Sequence, residues 1–159
     1  MIAEGSSVSD TTGVLRLERL FRPWVERVAH LRAWGRPMTE VCVELRERRD
    51  GRPGTTGLAW PVKRKILLRI GTNPALAIGT ALHEFAHVAA PGDVHHGGGF
   101  KTRLRAAVIE LTGHDPGLIE NYRTFDRSCD DAVSDWWRAT HAKAWDIAEK
   151  FARNAGGAS

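Results

Sequence analysis

Apolar residues recur along this chain with two periods, and the changes between them mark out its elements. From about Thr12 to Trp34, Leu17, Leu20, Phe21, Trp24, Val28 and Leu31 share one face at helical spacing. Pro23 either kinks this segment or opens a second helix, and Gly35 and Pro37 end it. Between Met38 and Arg48 the period becomes two: Val41, Val43 and Leu45 alternate with Cys42, Glu44 and Arg46, as in a strand with one buried face. Asp50 to Gly57 is a Gly/Pro/Thr turn, and Gly57–Trp60 and Lys65–Ile70 are short strands around Pro61. Helical spacing returns with Ile78, Leu82, Phe85 and Ala89. Asn73 is placed as N-cap, Pro74 fits the first helical position, and Pro91-Gly92 stops the helix.

A further helix carries Phe100, Leu104, Val108 and Leu111 and ends at Gly113. Pro116 to Arg127 reads as loop with a short helical turn. Ser128 then caps a long amphipathic helix marked by Val133, Trp136, Trp137, Thr140, Ala144, Ile147, Ala148 and Phe151, with Trp137 and Trp145 read as core. The order predicts an α+β fold: an N-terminal helix, a small mainly antiparallel sheet, two helices and a long C-terminal helix. One domain is expected over residues 13–154, with a helical extension from about 116 and flexible tails at 1–12 and 155–159.

The helix that follows the strands carries His83-Glu84-Phe85-Ala86-His87, an H-E-x-x-H string. His83 and His87 fall outside the buried stripe, beside the small residue Gly79. Residues i and i+4 lie on one helix face, so both imidazoles can reach one metal ion, while Glu84 between them can deprotonate a water held there. By itself the string is a weak signal, since an exposed face that happens to carry two His and a Glu reads the same. A metal site needs at least one more protein ligand, and Val94-His95-His96-Gly97-Gly98-Gly99-Phe100 offers it just before a packed helix. The glycines let the backbone pass close to a metal. Physics alone does not separate His95 from His96.

This stretch resembles the SprT-like metallopeptidases, zincins that read H-E-x-x-H, a short loop, and then H-G-x-x-F opening a helix. Here the matching residues are His83 to His87 and His96-Gly97-Gly98-Gly99-Phe100-Lys101. Gly57-Leu58-Ala59-Trp60 and Lys65-Ile66-Leu67-Leu68 resemble the strands that precede the family's motif helix. The resemblance implies a zincin-like fold and a zinc metalloprotease acting on a protein or peptide substrate. It implies zinc ligands His83, His87 and His96, with Glu84 as catalytic base, and it selects His96 over His95. It also raises the expectation of a weak or indirect association with DNA. The chain departs from many members in lacking a four-Cys zinc ribbon, since its only cysteines are Cys42 and Cys129, and in a shorter loop between His87 and His96.

Two other readings stand beside this one. A regulatory zincin of the ImmA/IrrE type also uses an H-E-F-x-H helix, to cleave a specific repressor, but its third ligand usually lies differently. A non-catalytic, zinc-stabilised binding module would need a fourth protein ligand, a part His95 could play. Lesser candidates are Tyr122 for steadying an oxyanion, Glu110 for buttressing His83 or His87, and Asp93 for the loop.

Composition narrows the surroundings. A hydrophobic fraction of 42% with 26% charged residues is ordinary for a soluble globular protein. No run is apolar enough for a membrane span, and the N-terminus lacks the build of a signal peptide. With two cysteines that do not look paired, these features point to a cytoplasmic protein. The net charge of +4 is concentrated at Arg46, Arg48, Arg49 and Arg52 and at Lys63, Arg64 and Lys65, a basic edge that reads first as solvated strand ends.

Overall fold

The computed structural model describes residues 16–48, 56–93 and 95–141. The expected tails, most of the turn from Asp50, and the last helix beyond His141, with Ala144, Trp145, Ile147, Ala148 and Phe151, lie outside the described residues.

Pro23 opens a new helix. Residues 16–20 are helical, Phe21 is a turn residue, and α1 (Arg22–Ala29) begins with the proline in its first turn, where no N–H is required. A single 3₁₀ turn, Arg32–Trp34, follows and is closed by Gly35 at φ 80°. The strands are β1 (Cys42–Glu47), β2 (Gly57–Trp60) and β3 (Lys65–Ile70). The helices α2 (Pro74–Ala89), α3 (Gly98–Thr112) and α4 (Tyr122–Thr140) complete the described chain. The fold is therefore α+β.

The sheet is mixed, which corrects the mainly antiparallel expectation. Its order is β1-β3-β2, with β2 antiparallel to β3 and β1 parallel to it in the register Cys42↔Lys65 to Glu47↔Ile70. Alternation in β1 places Val43 and Leu45 inward for either strand direction, so the period carried no information on the partner's direction. Central β3 has Ile66, Leu67 and Leu68 all buried, as a strand covered on both faces must. β2 is left as an edge.

The core lies between the sheet and the helices. Ile78, Leu82, Phe85 and Val88 of α2 are fully buried and meet Ile66 and Leu68 of the sheet, Phe100 and Leu104 of α3, and Phe125 and Val133 of α4 in one cluster. Trp34 stacks on Phe85 with ring centroids 6.1 Å apart and donates from Nε1 to the Val28 carbonyl at 2.7 Å.

α4 starts earlier than the expected Ser128. Asn121 caps it, accepting from the Thr124 amide at 3.1 Å, and Ser128 instead donates to the Pro116 carbonyl at 2.6 Å. Lys101 of α3 donates to the Ile119 and Glu120 carbonyls and so fixes where α4 begins. Trp136 and Trp137 are buried in the common core. Among the described residues no helix is long and apolar enough to cross a membrane.

Candidate metal centre

Local capping sets the phase of α2. Asn73 Oδ1 accepts from the Leu76 amide at 3.2 Å, and Pro74 follows at the first helical position. With that phase the apolar stripe faces the core, while Gly79, His83 and His87 face α3 and α4. Glu84 sits between the two faces and is only 7% exposed. It lies under β2, where a Cβ added to Gly57 would be 2.8 Å from its Cγ and Oε1. Only glycine lets the edge strand approach the carboxylate this closely.

The loop between α2 and α3 is held by Asp93. Its Oδ1 accepts from the Gly97 amide at 2.8 Å and its Oδ2 from the Phe100 amide at 3.0 Å, satisfying first-turn N–H groups of α3. These bonds hold the Asp93 carboxyl below its ordinary value. His96 is thereby kept at φ 57°, a left-handed conformation uncommon outside glycine. Its ring stacks on Tyr122 with centroids 4.1 Å apart and planes at 16°.

As a result three imidazoles converge. His87 Nε2 lies 3.2 Å and His96 Nε2 lies 3.3 Å from His83 Nε2, and ligating atoms of all three residues fall within 4.8 Å of one another. Metal–nitrogen bonds of 2.0–2.1 Å in a tetrahedron require nitrogens about 3.3–3.4 Å apart. The spacing fits, and the three residues could bind one metal ion. Phe100, fully buried, packs its ring 4.9, 4.5 and 4.7 Å from the rings of His83, His87 and His96 and limits their rotamers.

Electrostatics favour the ligand form. Burial and the neighbouring imidazoles His83 and His96 push His87 down to about 4. Burial and His83 lower His96 as well, so both rings are neutral near pH 7. Glu84 is raised by burial to about 7, against the opposing pull of His83. On its far side, His83 Nδ1 lies 3.5 Å from both Asp126 Oδ1 and the Tyr122 hydroxyl. An Nδ1–H directed at that carboxylate leaves the Nε2 lone pair for a metal.

A cleft of about 250 Å³ opens beside His83, lined by Gly57, Thr80, His83, Glu84, Asp126 and Asp130 among others. The structure thus brings His83, Glu84, His87, His96 and Tyr122 to one place. Tyr122, a candidate for steadying an oxyanion, places its hydroxyl 3.5 Å from His83 Nδ1 while its ring stacks on His96. Burial and nearby carboxylates raise its phenol, which stays protonated. His95 is exposed and stands outside the cluster.

Glu110 requires a correction: it buttresses neither His83 nor His87. Its two oxygens accept from the Arg32 and Ala33 amides at 2.9 Å each and cap the 3₁₀ turn. Asp126 and Asp130 were missed. With Tyr122 they form an i, i+4, i+8 row on α4 directly beside the buried row Phe125, Cys129 and Val133, a pattern that a helix start at Ser128 cuts off.

Part of the basic edge is paired. Arg46 and Lys65 meet Glu44 at 2.7 and 3.6 Å, and Arg64 pairs with Glu40. Arg49 and Arg52 lie outside the described residues. No protein-family model matches the chain, and no curated protein or solved structure matches it either.

Proposed function

We propose that this protein is a zinc-dependent metallopeptidase hydrolysing peptide bonds of a protein substrate. The observation that supports this reading most strongly is that His87 Nε2 and His96 Nε2 each lie at a tetrahedral-edge distance from His83 Nε2, beside a buried carboxylate on the same helix with no partner among the described residues. Three imidazoles match zinc's preference for nitrogen ligands and leave a fourth position open. Bound zinc would supply Lewis acidity and an acidified water.

The chain's residues do the remainder. His83, His87 and His96 would hold the ion, while Asp126 and Tyr122 orient His83 from behind. Glu84 takes the proton from the attacking water and delivers it to the leaving amine nitrogen. Among the described residues β2 has a free edge to which an extended substrate can hydrogen-bond, with Gly57 letting it run directly over Glu84. A non-catalytic zinc module would need the fourth position closed by protein, and the exposed His95 does not close it.

The test joins metal content to turnover. Wild type is expected to bind about one zinc per chain, lost in His96→Ala and kept in His95→Ala. Glu84→Gln is expected to keep zinc and lose peptide hydrolysis by roughly 10²–10⁴-fold. Undiminished hydrolysis in Glu84→Gln, or no zinc in wild type, overturns the reading.

A further inference from the structure

The cleft beside His83 is acidic in a chain whose net charge is +4. Asp126 and Asp130 lie one turn apart on the face of α4 that forms one wall, and Glu84 on α2 forms another. No lysine or arginine is among the described residues that line the cleft. Glu84 is more than nine-tenths buried and makes no hydrogen bond or ion pair with the described residues. Asp130 makes none either, although its carboxylate is pressed against α2, where a Cβ on Gly79 would lie 2.8 Å from Oδ1. Desolvated carboxylates left without a partner are costly to a fold, and their convergence on a cavity marks a place where a ligand supplies the missing charge. Gly57, Gly79 and Thr80 keep the walls small, so the cavity reaches down to these groups.

We infer that this cleft is a subsite for a cationic group of the substrate beside the scissile bond: a lysine or arginine side chain, or the terminal ammonium of a peptide. The inference rests on the metallopeptidase reading and deepens it by naming the substrate class. Asp130, reinforced by Asp126, binds the cation, and its two oxygens suit a guanidinium bidentately. The cleft borders both the start of β2 and Glu84, so a chain paired with that edge would drop one side chain into the cavity as its backbone passes the base.

Matched peptides carrying Lys, Arg, norleucine or Glu on either side of one cleavable bond, each free and N-acetylated, test this on the zinc-loaded full chain. A kcat/KM for Lys or Arg at least about tenfold above norleucine is expected, falling towards parity in Asp130→Asn and reversing towards Glu in Asp130→Lys. A Lys-over-norleucine preference that survives N-acetylation assigns the cation to a side chain, whereas a preference for free over N-acetylated peptides whatever the side chain assigns the terminal amine. Equal kcat/KM for Lys and norleucine in wild type together with no loss on N-acetylation, or a preference unchanged in Asp130→Asn, overturns the subsite.

Butylguanidinium binding, followed by amide shifts at Gly79 and Asp130, gives a readout independent of turnover. Saturable binding lost in Asp130→Asn, without any peptide hydrolysis, would keep the subsite and sink the peptidase. Hydrolysis without such binding would do the reverse.

Discussion

The N-terminal half of α4 sets Tyr122, Asp126 and Asp130 beside the imidazoles, whereas its C-terminal half sets Trp136 and Trp137 against Trp24 of α1. In the aromatic half the Trp24 ring meets Trp136 at 6.0 Å and Trp137 at 5.3 Å, both edge-on, and Arg27 lies 5.3 Å over Trp24. His141 stacks on Trp137 at 5.2 Å. Those contacts bury large apolar area and stabilise the fold. The polar half does the opposite, holding partly desolvated carboxylates next to one another, at a cost to the fold. One helix thus separates the two demands along its length: the tryptophans anchor it firmly enough for the aspartates to be held at fixed distance from His83.

That division can be tested from both ends. Trp137→Ala should cost about 3–5 kcal/mol of unfolding free energy in denaturant melts, since it empties a buried aromatic site. A loss below about 1 kcal/mol would mean that the aromatic half is not the anchor.

Asp126→Asn keeps the shape and removes the charge behind His83. Zinc affinity, measured by chelator competition, should fall about 10–100-fold, or roughly 1.4–2.7 kcal/mol, with apo stability little changed. Unchanged affinity would show that Asp126 does not orient the ring.

Asp130→Asn gives the smallest effect, and its sign is opposite to that of Trp137→Ala. Burial, with Asp126 adding to it, raises Asp130 from 3.8 to about 6, so the folded state holds its proton more tightly than the unfolded chain. The contribution to stability is fully present below 3.8 and is lost as pH rises through about 6. The metal-free Asn variant should therefore be more stable than wild type at pH 7 by on the order of 1 kcal/mol, solvent screening of a partly buried group reducing the full shift. The difference should shrink towards pH 4. A variant less stable at pH 7 would mean that Asp130 is paired rather than bare.

Several features were legible because they are local. The cap at Asn73, the stripe of Ile78, Leu82 and Phe85, and the placing of His83 and His87 off that stripe all follow from spacing within one helix. The same holds for the bounds of β2 and β3 and for the end of α3 at Gly113. Glu110 was misread because a carboxylate on an exposed helix face has many reachable partners. Its amide partners at Arg32 and Ala33 are 78 and 77 residues away in sequence.

Spacing along the chain marked the residues that could form a metal centre: His83 and His87 by helical periodicity, and a third histidine placed before a packed helix. Long-range packing settled the rest. It put the exposed His95 outside the cluster and turned His96 inward through the Asp93 clamp and the Tyr122 ring. It ran β1 parallel to β3, left β2 as the edge over Glu84, and brought Asp126 and Asp130 against α2. The physical reason is one of range. Capping and periodicity act over a turn or two of chain, whereas strand direction and the meeting of α2 with α4 are set by how distant elements share one buried core.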